Sequence, residues 1–239
     1  HTFICALKAS GSIGFASKGR EIHNEIARTR LLNTDISVAT ALVDMYAKCG
    51  SLVEAKVAFD KLSSRDLISW NALITGYSQH GKDDLIMILL DEMVEEGIEP
   101  NSITFLILLK AYCYLGLVDK GKCFFKVMSS CYDVIPNLRH YTSMAELFSH
   151  AGLFNEATEV IKNMPFQADL MLWHALLDIC HNSGNVELGE LAFHKAIQLD
   201  VKDSLAYVSI SNIYAAAGMK EDAQKIEGVA MKMEAWSPS

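Results

Sequence analysis

Proline, strand-like alternation and long apolar runs are all scarce in this chain. Only four of the 239 residues are proline, and apolar residues recur at helical spacing, as in residues 39–47 (ATALVDMYA). Both features predict an all-α fold. No uninterrupted apolar run reaches the length of about 18 residues that a membrane span needs, so none is expected. Apolar residues still make up 51% of the chain, which is enough for a large core.

Basic residues are outnumbered as well. The chain has 21 Lys and Arg residues and 29 Asp and Glu residues, which gives a net charge of −8 and a pI near 5.5. This balance argues against a protein that binds phosphates generally. The six cysteines include no CxxC pair. In so apolar a chain they are predicted to be reduced thiols, several of them in the core, and not a disulfide framework.

Catalytic motifs are missing. The sequence contains no GxSxG, Walker or Rossmann glycine pattern. Residues 23–25 (HNE) match the first half of the zinc-deaminase signature, HxE followed by PCxxC, but the cysteine half is absent. The spacing of His174, Cys180 and His181 does not place them on one ligand face of a helix. The sequence therefore predicts no catalytic residue, no metal site and no cofactor.

Seven glycines recur at a nearly regular interval. The spacings are 36, 31, 35, 36, 32 and 34 residues, between Gly14, Gly50, Gly81, Gly116, Gly152, Gly184 and Gly218. A period in this range is typical of repeat proteins. Glycine suits the left-handed turn that ends one helix before an antiparallel partner begins. Each repeat is therefore predicted to contain a first helix, a turn and a second helix.

Two further positions share this period. An aromatic residue lies eleven residues before the glycine in six repeats, at Phe3, Trp70, Phe105, Tyr141, Trp173 and Tyr207. The second repeat departs from this pattern, with Ala39. A small residue lies five residues after the glycine, at Gly19, Ala55, Gly121, Ala157, Gly189 and Ala223, with Ile86 as the exception. We expect the small residues to allow close approach of neighbouring helices and the aromatics to fill the space between layers.

The local residues separate the possible helical repeats. Residues 66–101, which open with DLISWNALITGY and close with GIEPN, resemble the standard pentatricopeptide repeat. Residues 36–66 resemble its short variant, and residues 102–137 its long variant. HYTSMAELFSHAG, LWHALLDICHNSGNVELGE and YVSISNIYAAAG resemble a final short repeat and two extension motifs. The chain thus resembles the plant organellar pentatricopeptide repeat proteins that mix these repeat types and act in RNA editing.

This resemblance implies an α-solenoid, a right-handed superhelix of about seven helix-turn-helix repeats. It divides the chain into a truncated long repeat (1–35), a short repeat (36–66), a standard repeat (67–101), a long repeat (102–137), a final short repeat (138–169), a first extension motif (170–203) and a second extension motif with a tail (204–239). Because residue 1 falls inside a first helix, we expect the chain to be a piece of a longer protein that has lost any targeting segment. The tail GVAMKMEAWSPS either ends the protein or precedes a deaminase domain.

Two positions in each repeat are not explained by packing alone. One follows the aromatic position of the first helix: Ile4, Thr40, Asn71, Leu106, Thr142, His174 and Val208. The other closes the repeat: Asp35, Asp66, Asn101, Asn137, Asp169 and Asp203. Asp and Asn are also preferred helix N-caps, which is the alternative explanation for the closing position. The resemblance implies that the two positions together read one unstacked RNA base per repeat.

The family's code assigns bases to three of these pairs. Thr40 with Asp66 implies guanine, since a carboxylate accepts hydrogen bonds from the base. Thr142 with Asp169 implies guanine again. Asn71 with Asn101 implies a pyrimidine, cytosine more than uracil. The pairs Ile4–Asp35, Leu106–Asn137 and His174–Asp203 are weak or non-reading. The resulting sequence is 5′-G-C/U-N-G-3′.

The resemblance implies a single-stranded RNA-binding factor of mitochondria or chloroplasts. It would specify sites of C-to-U editing, with other editing proteins and a deaminase domain in trans as partners. Splicing and transcript stabilisation are related tasks that stay open. The alternative is a protein–protein scaffold whose groove holds a peptide or a subunit of an organellar RNA-processing or ribosomal assembly. Acidic first helices would favour the scaffold; we expect them to be nearly neutral, with the acid mostly on the second helices.

Overall fold

The computed structural model describes residues 2–234, and this range contains α-helices and no strand. The helices are α1 (Thr2–Ile13), α2 (Ala16–Arg28), α3 (Leu31–Thr34), α4 (Ile36–Lys48), α5 (Leu52–Asp60), α6 (Leu67–Gln79), α7 (Asp83–Glu95), α8 (Ser102–Leu115), α9 (Val118–Ser130), α10 (Leu138–His150), α11 (Phe154–Asn163), α12 (Leu170–Ser183), α13 (Val186–Leu199), α14 (Ser204–Ala216) and α15 (Lys220–Glu234). Residue 1, predicted to lie in a first helix, and the tail beyond residue 234 fall outside the described residues.

The helices pair as the period predicts. The first helices are α1, α4, α6, α8, α10, α12 and α14, and the second helices are α2, α5, α7, α9, α11, α13 and α15. The four-residue α3 lies between α2 and α4. From α4 onward, each first helix begins directly after a closing Asp or Asn. The assignment of long, short, standard and extension types to these pairs stays a prediction.

The seven periodic glycines connect the two helices of each pair. Their φ angles lie between 66° and 79°, in the left-handed region where a Cβ atom is disfavoured. The amide of the residue after Gly50 donates to the Tyr46 carbonyl, and the one after Gly81 donates to the Tyr77 carbonyl. These bonds satisfy carbonyls that the helix end would leave without a partner. The prediction that glycine forms the turn is confirmed.

Small residues in the second helices allow close contact with the next first helix. A Cβ atom at Gly19 would lie 2.2 Å from the Met45 Sδ atom, and one at Gly121 would lie 2.3 Å from Leu147 Cδ2. At Gly189 the nearest atom is Ile213 Cδ1, at 3.0 Å. In each case the side chain of the next repeat occupies the space that a larger residue would need.

The first compact unit comprises residues 1–111 and 127–135. In this unit α4 packs against α1, α5 and α6. Trp70 is fully buried, and its ring packs edge-on against Phe59 of α5, with centroids 4.6 Å apart. A cavity of about 210 Å³ lies beside Ala39, where the second repeat lacks its aromatic residue.

The second compact unit comprises residues 112–126 and 136–239, described to residue 234. Two first-helix aromatics repeat the edge-on contact: Tyr141 packs against Phe125, with centroids 5.1 Å apart, and Tyr207 packs against Phe193 at 5.1 Å. The Tyr214 hydroxyl donates to the Glu190 carboxylate across 3.0 Å. Burial and this carboxylate raise the pKa of Tyr214 to about 12.

The expectation that several cysteines lie in the core is wrong. Of the six, all within the described residues, Cys180 is buried, Cys49 and Cys113 are half-buried, and Cys5, Cys123 and Cys131 are exposed. Periodicity alone does not show which face of a first helix remains open after stacking, and that explains the error. Burial raises the pKa of the Cys180 thiol to about 12.

Candidate functional site

All six closing residues cap the first helix that follows them. The Asp66 Oδ1 atom accepts from the Ser69 amide at 2.8 Å, and the Asp169 Oδ1 atom accepts from the Leu172 amide at 2.9 Å. Asp35, Asn101, Asn137 and Asp203 accept in the same way from amides in the first turn of α4, α8, α10 and α14. Capping therefore accounts for Asp or Asn at this position.

Capping leaves part of the carboxylates of Asp66 and Asp169 available. Only the Oδ1 atoms of Asp66 and Asp169 act as cap acceptors. Their Oδ2 atoms form no hydrogen bond within the described chain. A carboxylate oxygen is an acceptor only, so each of the two sites keeps an unused acceptor of negative charge. Such an acceptor suits the N–H groups on a base edge.

The predicted partners of these aspartates are half-buried threonines. Thr142 donates its hydroxyl proton to the Leu138 carbonyl in its own helix, at 2.9 Å. The Thr40 hydroxyl forms no hydrogen bond in the part of the chain that the structure describes. Thr142 can therefore accept a hydrogen bond from a base, whereas Thr40 can donate or accept.

In the third repeat, one hydroxyl joins the two predicted base-reading residues. The Oγ1 atom of Thr104 lies 2.8 Å from Asn71 Oδ1 and 3.2 Å from Asn101 Oδ1. Thr104 is fully buried, and the two asparagines are half-buried. Asn71 and Asn101, which are thirty residues apart, thus meet at one point.

Thr104 is a functional candidate that the sequence prediction missed. It is the third residue of α8, three residues after the cap Asn101. Ser69 has the same place after Asp66, and His140 after Asn137. Ser or Thr three residues after Asp or Asn is a reversed capping-box pattern, so this spacing could have identified them.

Exposed apolar side chains flank the predicted readers and were also missed. Ile68 is 70% exposed and lies three residues before Asn71, and Ile103 is 58% exposed and lies three residues before Leu106. Residues three apart share a face of a helix. Met171 and Leu205 hold the same place in α12 and α14 and are exposed as well. An apolar residue at the second position of a first helix was the sequence feature that could have identified these exposed side chains.

The side chains of His174 and Asp203 hydrogen-bond to each other. The His174 Nε2 atom lies 2.5 Å from Asp203 Oδ2, and the Asp203 side chain is only 7% exposed. Asp203 Oδ1 accepts from the Ala206 amide, so both carboxylate oxygens are used. At the equivalent position of α14, Val208 is exposed and has no polar group. Both oxygens of Asp203 are thus engaged within the protein, unlike those of Asp66 and Asp169.

The remaining predicted weak pairs each include an apolar residue. Ile4 and Leu106 are half-buried in α1 and α8 and offer no hydrogen-bonding group. Asp35 caps α4, with 2.9 Å between its Oδ1 atom and the Ser37 amide. Asn137 is exposed and caps α10. Each pair thus has at most one polar side chain.

Charge is distributed unevenly between first and second helices. Within the bounds of the seven first helices, the carboxylates are Asp44, Glu146 and Asp178, and the bases are Lys8, Lys48, Lys110 and Arg139. Asp44 is paired with Lys48 at 2.7 Å. By contrast, α7 alone carries five carboxylates and no base. The first helices are therefore nearly neutral, and the acid lies mainly on second helices.

The incomplete deaminase signature has a structural explanation. His23 Nδ1 lies 2.8 Å from the Tyr46 hydroxyl, and burial lowers the pKa of His23 below its usual value. The residue thus packs as part of the contact between α2 and α4. No cluster of three His, Cys, Asp or Glu side chains suited to a metal occurs among residues 2–234. No helix in that range is long and apolar enough to cross a membrane.

Consecutive helix pairs joined by a glycine turn at a period near 35 residues are typical of an α-solenoid. The chain belongs to the pentatricopeptide repeat proteins. Models of the pentatricopeptide repeat match residues 37–67, 103–132 and 139–166, and a model of the same repeat family matches residues 65–114. A model of the E motif matches residues 183–236, which include α13, α14 and α15.

Similar proteins are known from Arabidopsis thaliana. A mitochondrial pentatricopeptide repeat-containing protein is 38% identical over 92% of this chain and 24% of its own length. A chloroplastic one is 37% identical over 94% of this chain and 26% of its own length. Another pentatricopeptide repeat-containing protein is 38% identical over 93% of this chain and 46% of its own length. The chain thus spans between about a quarter and a half of these relatives.

A solved structure confirms the fold class. The crystal structure of the pentatricopeptide repeat protein PPR10 from maize matches 98% of this chain and 40% of its own chain, with a TM-score of 0.62 and 16% identity. At that identity the likeness establishes the all-α solenoid fold alone.

Proposed function

We propose that this chain binds single-stranded RNA and reads one base in each of three repeats. The observation that carries the proposal is the meeting of Asn71 and Asn101 at Thr104. These asparagines use their oxygens within the protein, while their amide NH₂ groups form no hydrogen bond among the described residues. Half-buried amides held at one point suit the edge of an unstacked base.

The flanking groups support an extended RNA ligand. Exposed Ile68 and Ile103 provide apolar surface on either side of a base bound at Asn71. Stacking against such surface does not depend on the base sequence. Lys8 and Lys110 are exposed and lie four residues after the apolar Ile4 and Leu106, one helical turn along the same face. Positive charge there can contact phosphate where no base is read.

The proposed target is 5′-G-C/U-N-G-3′. The free acceptors of Asp66 and Asp169 suit the N1–H and N2–H donors of guanine, beside Thr40 and Thr142. Leu106 offers no hydrogen bond and accepts any nucleotide. Each pair contributes about 1–3 kcal/mol of discrimination, by analogy with other base contacts. Three pairs on an acidic chain thus give modest affinity, so further repeats or a partner protein must supply the rest.

The proposed cellular role is to specify sites of C-to-U editing in a plant organelle. The E-motif match supports a role in editing, and relatives named mitochondrial or chloroplastic support an organellar location. In this role residues 170–233 dock a deaminase that acts in trans. The final G of the target lies four nucleotides upstream of the edited cytidine.

RNA binding is tested by competition at low salt. Two short RNAs carry G-C-A-G or A-A-A-A in register, and the proteins are the wild type and the double variant Asn71→Ala, Thr142→Ala. We expect the wild type to prefer the first RNA and the double variant to lose that preference. A folded wild type that binds both RNAs equally would refute base reading.

The editing role has a separate test. Organellar transcripts from plants with and without the protein are sequenced, and conversion is scored at cytidines four nucleotides after G-C-N-G or G-U-N-G. Loss of conversion at such a site is the expected result. Intact editing with altered splicing or transcript ends would assign the protein to one of those tasks instead.

A protein scaffold is the second candidate function. The observation that favours it is the acidic α7, where Asp91 and Glu95 are exposed, while Glu92 pairs with Lys56 of α5. This surface suits a basic protein partner. Binding of a basic organellar protein that is unaffected by Asn71→Ala but lost on neutralising α7 would establish this function.

A further inference from the structure

Backbone N–H groups at the start of α8 fix which way the Asn101 amide faces. Asn101 Oδ1 lies 3.0 Å from the Ile103 amide and 3.1 Å from the Thr104 amide. Only an oxygen accepts from two N–H groups, so the Asn101 oxygen faces the helix end and its NH₂ group faces away.

Asn71 presents its oxygen to the Thr104 hydroxyl. The Asn101 backbone amide donates to Thr104 Oγ1 at 3.2 Å, so the hydroxyl is already an acceptor there. Its single proton can go to Asn71 Oδ1, at 2.8 Å, or to Asn101 Oδ1, at 3.2 Å. The shorter distance and the two amide donors already on Asn101 Oδ1 favour Asn71. The structure places the Asn71 oxygen, and not its NH₂ group, against Thr104, so that NH₂ group stays available.

We propose that Thr104 is a positioning residue that holds both amides with their NH₂ groups toward the base and so selects cytosine over uracil. This inference rests on the proposed RNA-binding function. Cytosine presents two adjacent acceptors, O2 and N3, which match two NH₂ donors. Uracil presents an N3–H donor at the second place, which needs an acceptor. With the asparagine oxygens held by Thr104 and the α8 cap, that acceptor is less available.

The preceding repeat provides a matched control. Ser69 has the position of Thr104 in α6, but its hydroxyl donates to the Asp66 carbonyl at 2.8 Å and accepts from the Asp66 amide at 2.9 Å. It forms no hydrogen bond to the predicted reader Thr40. Ser69→Ala thus removes a capping hydroxyl of the same kind without releasing a reader.

The experiment compares two RNAs that differ only in the second base, G-C-A-G and G-U-A-G. The whole 239-residue chain is used as wild type, Thr104→Val, Thr104→Ser and Ser69→Ala. The wild type is expected to prefer cytosine by about fivefold, the value of one hydrogen bond. Thr104→Val keeps the shape and removes the hydroxyl, so the preference should fall toward one. Thr104→Ser and Ser69→Ala should retain it.

The outcomes separate this inference from the proposed function. Equal binding of wild type to G-C-A-G and A-A-A-A refutes both. A wild type that discriminates those RNAs, with an unchanged cytosine-to-uracil ratio in folded Thr104→Val, refutes the role of Thr104 alone. An equal loss of the ratio in Ser69→Ala also refutes it, since capping would then be the cause. If Thr104→Val does not fold, Thr104→Ala provides the same comparison without a buried extra methyl group.

Discussion

Substitution of Gly76 by alanine tests the packing of the first unit. Gly76 lies in α6, and a Cβ atom there would lie 2.3 Å from Ala47 Cβ and 2.9 Å from Ala47 Cα. Ala47 is fully buried in α4. Neither atom can move away by side-chain rotation, since one is backbone and the other is bonded to it. The methyl group therefore forces α4 and α6 apart.

Two opposing terms set the size of the effect. Overpacking a tight contact costs about 1–3 kcal/mol. Alanine is favoured over glycine inside a helix by about 1 kcal/mol. Because the clash involves backbone, we place overpacking at the upper end and expect Gly76→Ala to lower the free energy of unfolding by about 1–2 kcal/mol. For a chain of this size each 1 kcal/mol corresponds to roughly 2–4 °C in Tm.

The assay is urea unfolding followed by circular dichroism, with Gly228→Ala as the control. Gly228 lies in α15, and a Cβ atom there has no neighbour within 4 Å. That variant should gain about 0.5–1 kcal/mol from helix propensity alone. The two substitutions are chemically identical, but their expected effects on the free energy of unfolding are opposite in sign. A Gly76→Ala protein as stable as Gly228→Ala would refute the close approach of α4 and α6.

Three further predictions concern the interior. Ala39→Phe places a ring in the adjacent cavity of about 210 Å³ and should raise the free energy of unfolding in urea by about 1 kcal/mol; a decrease would show that the cavity cannot accept a ring. Cys180, buried and with a raised thiol pKa, should resist iodoacetamide in the native protein while exposed Cys5 reacts, as mass spectrometry would show. The pKa of His23 is lowered by burial, so its contribution is present above the unfolded pKa of 6.5 and is lost as pH falls below it. Unfolding at pH 7.5 and 5.5 should show this loss, and His23→Leu should reduce it; an equal loss in that variant would assign it elsewhere.

The sequence alone determined the repeat architecture because its signals are local. Glycine at a positive φ, an aromatic eleven residues earlier and a capping Asp or Asn each act within one helix pair. Such features recur with the period regardless of how the pairs stack. The helix pairs and the family could therefore be predicted, and the pairs at Asn71 and Thr40 could be named as candidates for base reading.

Tertiary structure decided which of those polar groups remain available. Thr104 meets Asn71 only because α8 packs beside α6, across thirty-three residues of sequence. In the same way, His174 hydrogen-bonds to Asp203 across twenty-nine residues of sequence. Helix packing also buries Cys180, whereas Cys5 stays exposed. Hydrogen bonds between repeats depend on distances of a few tenths of an ångström, which no periodicity specifies. The sequence by itself determined where each helix pair turns, and the packing of neighbouring helices decided which polar groups of each pair remain accessible.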